Sequence, residues 1–206
     1  ERMYVIASQG LGPSGDFRVS ESCEYPLFRR LRAAAEGQAD LIAVSYADRA
    51  DLTYGSDDEM EKAHRQFVSG WMFESFGLHP AAGRLFTEGD DRTPGAHPYA
   101  VLSYDYWSRR FGRDPNIVGR KFRMGTDLYE IAGVAGAGFT GTEPGTFIDV
   151  FVPTMMNPYV GRSDASWFRA LAILKPGVAA EPLRAKLHSV SRTFREERAS
   201  GWTSQT

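Results

Sequence analysis

The chain has 206 residues, of which 42% are hydrophobic and 13% aromatic, so it can bury a core and is not disordered. Its formal charge of -2, from 24 Lys and Arg against 26 Asp and Glu, excludes the basic footprint of a nucleic-acid-binding protein. Its apolar runs are far shorter than the roughly 20 residues that a membrane-spanning helix needs, so we expect the chain as given to be soluble.

The first third of the chain predicts a strand, a helix and three further strands. Residues 3–8 are β-branched and aromatic, as in a strand, and a loop rich in glycine follows them. A serine cap then precedes apolar residues at helical spacing in residues 26–35, and Gly37 ends this helix. The pattern next becomes extended in three segments: 41–46, 50–54 and 62–68.

The single cysteine, Cys23, precedes this helix and cannot form an internal disulfide, so it does not indicate a redox compartment. We expect it to be a buried or half-exposed thiol and not a nucleophile. The apolar run at residues 3–7 is too short for a signal peptide and lacks basic residues before it. A chain that starts abruptly with a strand is interpreted as an excised piece of a longer protein.

The central stretch, residues 67–119, contains two short aromatic helices with a polar loop between them. In the first, aromatic residues cluster at residues 71–76 before a glycine that stops the helix. In the second, aromatic residues recur at spacings of three and four and so share one face: Tyr104, Trp107 and Phe111. We expect a small sheet from the same region to cover this aromatic surface.

After the centre, residues 121–124 and 128–134 alternate in the manner of a hairpin. A strand follows at residues 149–153, and residues 157–165 form a patch that resembles a linker. The middle of the chain thus has enough strands for a sheet of its own.

The last two elements repeat the organisation of the first. Residues 167–174 predict a strand, and residues 181–198 predict an amphipathic helix with four apolar residues on its inner face: Leu183, Leu187, Val190 and Phe194. Both ends can close on one sheet with their helices on the same side, which is an open-faced α+β sandwich. The middle is then an insertion, with boundaries near residues 66–70 and 160–166.

Residues 136–141 match the pattern G-x-G-x-x-G and follow a strand. A dinucleotide site needs a helix that opens on the third glycine, and the sequence Glu-Pro-Gly at residues 143–145 prevents a clean helix start. We interpret the segment as a mobile loop that needs glycine for its backbone angles.

The titratable residues show no pattern typical of metal or catalytic sites. Four histidines are scattered, without the spacing of a helical metal site: His64, His79, His97 and His188. The acidic turn at residues 57–61 lacks the register of a calcium loop, so we expect a solvated hairpin tip. Asp90 and Asp91 could serve as acid and base, but loops of this composition are usually only hydrated. The sequence therefore predicts no catalytic, metal-binding or cofactor-binding residue and no enzyme.

Residues 70–86, GWMFESFGLHPAAGRLF, resemble the segment G-x-x-F-x-x-L-G-hydrophobic-x-P-x-x-G-R-x-F of the extracytoplasmic core domain in MacB/FtsX-type ABC transporter permeases. Other segments match in the family's order: 25–32, 101–112, 114–119, 131–134 with 139–141, and 174–178. The similarity covers nearly the whole chain. It departs from the family at Phe76, where leucine is commoner.

The resemblance implies a porter-like α/β sandwich built from both chain ends, residues 1–68 and 165–206, with an inserted β-rich, sabre-like lobe at residues 69–164. It implies a non-catalytic domain on the periplasmic side of the bacterial inner membrane, between the first two membrane helices of a permease. The chain stops before any membrane helix, which suggests a fragment trimmed to the soluble part. Such a domain passes ATP-driven movement of the membrane helices to the periplasmic side and contacts substrates or partner proteins there.

The same resemblance implies the partners: the permease's own transmembrane helices, a separate or fused ATPase domain, a second copy in a dimer, and a periplasmic adaptor protein. We further expect Leu183, Leu187 and Phe194 to keep the final helix stiff, as a lever.

Two other classes of function stay open. In a free-standing periplasmic ligand-binding module, Trp71, Trp107 and Phe111 would line a groove, whereas core packing is the structural explanation of these rings. In a hydrolase, Asp90 or Asp91 would carry the reaction.

Overall fold

The computed structural model describes residues 2–11 and 16–203. The strands are β1 Arg2–Ile6, β2 Ser8–Leu11, β3 Phe17–Ser20, β4 Ser22–Glu24, β5 Ala39–Ser45, β6 Asp48–Thr53, β7 Met60–Val68, β8 Pro80–Gly83, β9 Tyr99–Leu102, β10 Lys121–Met124, β11 Asp127–Ala135, β12 Val150–Pro153 and β13 Ser166–Leu174. The α-helices are α1 Tyr25–Ala35, α2 Met72–Ser75, α3 Tyr104–Phe111 and α4 Ala180–Thr203. Short 3-10 helices occur at Asp57–Glu59, Glu88–Asp91, Pro115–Ile117 and Thr154–Met156.

The described residues divide into two compact units. Unit 1 comprises those within residues 1–42 and 161–206, and unit 2 comprises residues 43–160. The first border therefore falls within β5, whereas the sequence placed it near residues 66–70. The physical reason is that β6 and β7 pair with each other, and β7 pairs with β12 from the predicted insertion. The assignment of the units to porter-like and sabre-like parts stays a prediction.

In unit 1, strand β13 joins the two ends of the chain. Its second half pairs antiparallel with β1, so that Arg2 lies opposite Leu174 and Ile6 opposite Ala170. Its first half pairs with β4, and β5 lies next to it in the sheet. The mixture of helices and strands confirms the predicted α+β class.

Helix α1 covers this part of the core with an apolar stripe. Phe28 and Leu31 are buried, and the Phe28 ring meets the Phe168 ring of β13 edge-on at 5.4 Å between centroids. The predicted serine cap is wrong, because the N-cap residue is Glu24 and no side chain caps the helix. Proline in the first turn instead favours the helix start, since it has no N–H that needs a partner.

In unit 2, strand pairing closes on itself. The order β7, β12, β9, β11, β10, β6 returns to β7, because β6 pairs with both β10 and β7. Two of the pairs are parallel, β7 with β12 and β9 with β11, and the others in the ring are antiparallel. The predicted hairpin at residues 121–134 is confirmed as β10 and β11.

The aromatic side chains of the central stretch pack on strands from the same region, as expected. Phe73 of α2 is fully buried and lies 5.5 Å from Phe151 of β12 between ring centroids. Phe86 and Phe139 complete this cluster around Phe73. Position 133 requires glycine because two backbone segments approach closely there. A Cβ at Gly133 would lie 2.2 Å from the Arg84 carbonyl oxygen.

Candidate functional site

Asp91 is a structural tie and not a solvated carboxylate. Its side chain is 4% exposed and accepts hydrogen bonds from three groups that are distant in sequence. These are the Gly70 N–H at 3.0 Å, the Thr154 hydroxyl at 2.5 Å and the Met155 N–H at 2.7 Å. The carboxylate thus connects the starts of two loops. The prediction that this residue is merely hydrated in a loop is wrong.

Asp90 is also engaged within the protein. Arg84 donates two hydrogen bonds to it, at 2.7 and 2.9 Å, and the Thr87 N–H and hydroxyl donate two more. Burial opposes ionisation of this carboxyl group, but the hydrogen bonds from Arg84 and Thr87 outweigh it and lower the pKa. Asp90 is therefore the charged partner of the N-cap residue Thr87 in the capping box of the 3-10 helix Glu88–Asp91, and it is poorly suited to donate a proton.

The aromatic residues of the predicted groove lie in the packed interior or on its edge. Trp71 and Trp107 are each 8% exposed. The Trp107 indole donates to the Asp114 carbonyl oxygen at 3.0 Å, and Phe111 meets Tyr54 edge-on at 5.1 Å. These contacts are typical of core packing and do not favour the alternative, in which the rings line a ligand groove.

The final helix is anchored within unit 1. Leu183, Leu187 and Phe194 are all buried, as the sequence predicted. Arg30 of α1 lies over the Phe194 ring at 5.1 Å and pairs with Glu197 at 2.6 Å. Helices α1 and α4 therefore hold each other through both apolar and charged contacts.

The glycine-rich segment at residues 136–141 is a loop after β11, with no helix on its third glycine. Gly138 and Gly141 have φ angles of 90° and 105°, which explains the need for glycine. The predicted mobility of this loop is not favoured, because Phe139 stacks on Phe151 and Thr142 bonds Gln66 at 2.8 Å.

The thiol of Cys23 is buried, as expected of an unreactive cysteine. It is 6% exposed, and burial raises its pKa to about 12. Within residues 2–11 and 16–203, no three His, Cys, Asp or Glu side chains come together in a way that would hold a metal ion.

The sequence did not reveal a buried hydroxyl network in unit 2. The Tyr106 hydroxyl donates to Glu61 and lies 3.0 Å from the Tyr54 hydroxyl, and Arg110 also binds Glu61 at 3.1 Å. Burial raises the pKa of both tyrosines, so both stay neutral. These residues are too far apart in the sequence to leave a local signal. The network connects α3 to Glu61 of β7 and to Tyr54, the residue that follows β6.

A second feature that the sequence did not reveal is a polar cavity of about 270 Å³ in unit 2. It is lined by residues 46–49, His64, Glu143 and Thr146. Strands at residues 50–54 and 62–68 were predicted, and in the structure Arg49 of β6 lies opposite His64 of β7. Nothing local in the sequence indicated that residues 143–146 would form the other wall.

The two carboxylates considered for catalysis, Asp90 and Asp91, serve internal contacts. The part of the chain that the structure describes contains no helix with both the length and the apolar character required to cross a membrane. The fold and these contacts define a two-unit α+β domain in which strand β13 links the two ends of the chain.

Comparison with known proteins identifies the family. The model of the MacB-like periplasmic core domain matches residues 1–190, so the chain belongs to this family. This confirms the resemblance to the extracytoplasmic domain of MacB/FtsX-type ABC transporter permeases. No curated protein sequence matches the chain.

Three solved structures share the fold. The periplasmic region of MacB from Actinobacillus actinomycetemcomitans is 14% identical, with a TM-score of 0.64, and the match covers 93% of this chain and 83% of that one. A domain of a putative permease from Porphyromonas gingivalis is 15% identical, with a TM-score of 0.67 and the same coverage. The extracellular domain of the noncanonic ABC-type transporter YknZ from Gram-positive bacteria is 13% identical, with a TM-score of 0.61 and coverage of 96% and 93%.

Proposed function

We propose that the chain is a non-catalytic periplasmic domain that transmits ATP-driven movement of a permease's membrane helices to the periplasmic side of the bacterial inner membrane. The family supports this role, and so does the use of Asp90 and Asp91 in internal contacts. In this proposal the domain contacts substrate or partner proteins. Its partners are the permease's transmembrane helices, a separate or fused ATPase domain, a second copy, and a periplasmic adaptor protein.

The observation that carries the proposal is the construction of unit 1. Strand β1 and helix α4 come from opposite ends of the chain and are held in one unit, β1 through its pairing with β13. Arg198 fixes the far part of α4 by bonds to Glu24 at 3.2 Å and to the Ser163 carbonyl oxygen at 2.7 Å. A closely packed body of this kind moves as a whole and does not absorb a displacement applied at one end.

Spin labels in the full-length permease, reconstituted with its ATPase, would test this rigidity. The labels replace Met3 of β1 and Arg184 of α4, which are both exposed, in a background with Cys23→Ser. We expect the distance between the two labels to stay the same with and without ATP. A distance that changes with nucleotide would show that unit 1 deforms and would reject the relay.

A charge in the core of unit 1 should uncouple the transporter. Leu187 is 7% exposed, so Leu187→Asp places an unpaired carboxylate in the core of unit 1 and loosens α4. We expect ATP hydrolysis to continue while transport falls. His188→Asp is the matched control, since His188 is the exposed neighbour on the same helix. Full transport by the Leu187→Asp variant would contradict the idea of a stiff lever.

The alternative, a free-standing ligand-binding module with a groove of Trp71, Trp107 and Phe111, gains no support from these rings. None of the three lines the cavity at residues 46–49.

A further inference from the structure

Strand β1 forms an open edge of the sheet in unit 1. It stands at the end of the strand order, with β13 as its neighbour, and in the part of the chain that the structure describes no other strand pairs with it. The backbone N–H and C=O groups along its outer side can therefore pair with a further strand.

The side chains of this edge are apolar and exposed. Met3, Tyr4 and Val5 are 59%, 41% and 45% exposed, whereas the residues opposite them on β13 are buried. Successive side chains of a strand point to opposite faces of the sheet, so β1 is uncovered on both faces. A further strand beside β1 would cover all three side chains at once.

Residues 2–6 lack the features that usually guard an open edge. Natural sheets prevent strand addition with edge charges, prolines or bulges. The register of β1 with β13 is unbroken from Arg2 to Ile6, and β1 contains no proline. Its one charged residue, Arg2, is held by unit 1, because the guanidinium donates to the Val178 carbonyl oxygen at 3.0 Å.

The sequence of β1, RMYVI, complements itself in one orientation. When two copies pair antiparallel about a two-fold axis at Tyr4, Met3 of each copy lies opposite Val5 of the other. Arg2 then lies opposite Ile6, about 14 Å along the strands from the other Arg2 and beyond the screening length of about 8 Å. A parallel pairing in register would instead place the two arginines side by side, so the charges favour the antiparallel form.

We propose that β1 is the docking edge for β1 of a second copy of this chain, in the antiparallel register centred on Tyr4. The inference assigns a surface to the second copy of the proposed function, and it rests on that proposal. Five residues a side are far fewer than the about 20–30 of a stable interface, so the contact is weak. Two copies held in one permease meet at an effective concentration on the order of 1 mM, at which a weak contact forms.

Disulfide trapping of the purified protein tests this pairing. In a background with Cys23→Ser, Tyr4→Cys places two thiols directly opposite each other, with Cα atoms about 4.5–5.5 Å apart, which is within the range of a disulfide. The protein is oxidised mildly at a concentration of about 1 mM. We expect Tyr4→Cys to form disulfide dimers at least about tenfold faster than the matched control Ala33→Cys, at an exposed position of α1.

The neighbouring positions test the register. Met3→Cys alone should dimerise slowly, because the same residue of the other copy lies two positions along the strand, at more than about 7 Å. A mixture of Met3→Cys and Val5→Cys should form the mixed disulfide rapidly, since these two positions face each other. Equal rates at all three edge positions would overturn the proposal, and so would trapping of Tyr4→Cys no faster than that of Ala33→Cys.

A charge at the two-fold axis should prevent the pairing. Tyr4→Lys places two ammonium groups directly opposite each other, and it should slow formation of the mixed Met3→Cys, Val5→Cys disulfide at least about tenfold, whereas Tyr4→Phe should leave the rate unchanged. Tyr4 is exposed, so both variants should keep the circular dichroism spectrum and thermal midpoint of the parent protein. Unchanged trapping in Tyr4→Lys would overturn the proposal. Trapping involves no transport step, so its failure is distinct from a failure of the relay.

Discussion

Replacing Asp91 by alanine tests whether a single buried carboxylate holds unit 2 together. The substitution leaves two buried backbone donors, the N–H groups of Gly70 and Met155, without their acceptor. Each orphaned donor costs about 1–3 kcal/mol, so the loss lies at about 2–6 kcal/mol. Removal of the buried charge also removes its desolvation cost, which places the expected loss in the lower half of this range, at about 3 kcal/mol.

The free energy of unfolding is measured by urea titration, with circular dichroism and tryptophan fluorescence as separate probes. Two probes are needed because two units need not unfold in one step. Asp58→Ala is the control, since Asp58 is exposed, and its effect should stay within about 0.5 kcal/mol. Thr154→Val removes only the donor of one bond to Asp91, so it should cost about 1 kcal/mol.

The double variant Asp91→Ala, Thr154→Val gives the coupling between the two side chains. A loss clearly smaller than the sum of the single losses is expected, since both changes remove the same bond. A loss below about 1 kcal/mol for Asp91→Ala alone would refute the reasoning, because two orphaned buried donors cannot cost so little.

Three further predictions follow from individual contacts. Gly133→Ala should lower the free energy of unfolding by about 3 kcal/mol or more, since its Cβ would lie 2.2 Å from the Arg84 carbonyl oxygen, whereas Gly161→Ala, in open space, should be nearly neutral in the same urea titration. Cys23 should react with iodoacetamide at pH 8 at least about a hundredfold more slowly than free cysteine, because burial leaves almost no thiolate, and fast labelling of the native protein would contradict this. Asp90→Asn should destabilise the protein at pH 7, because the charged form of Asp90 is stabilised above its ordinary pKa of 3.8 and this stabilisation is lost as the pH falls through the lowered pKa of the folded protein. In urea titrations at a series of acid pH values, the difference from the parent protein should shrink as the pH falls below 3.8, and a difference that does not shrink would exclude the charge as its cause.

Elements that depend on local pattern could be predicted from the sequence. The spacing of Leu183, Leu187 and Phe194 placed them on the buried face of α4, because a helix brings residues three and four apart to one side. The hairpin of β10 and β11 followed from alternation around Gly125, which has a φ angle of 63°. In each case, residues that are close together in the sequence determine the secondary structure.

The closure of the strand ring in unit 2 could not be predicted in this way. Val150 of β12 pairs in parallel with Arg65 of β7, and Val150 also lies opposite Leu102 of β9. Such pairings join segments far apart in the chain and leave no periodic signal. The partners of Asp91 are likewise far from it in the sequence, so its structural role could not be predicted. Its polar sequence context is typical of a hydrated loop, although its side chain is buried.

Three carboxylates of unit 2 are held by hydrogen bonds within the protein: Asp90, Asp91 and Asp149. Each of the three accepts a hydrogen bond from a backbone N–H group. For Asp90, burial opposes ionisation, but the hydrogen bonds from Arg84 and Thr87 outweigh it and lower the pKa. A general acid or base needs a carboxyl group that gains and loses its proton near neutral pH. Asp90, with its lowered pKa, is therefore poorly suited to this role.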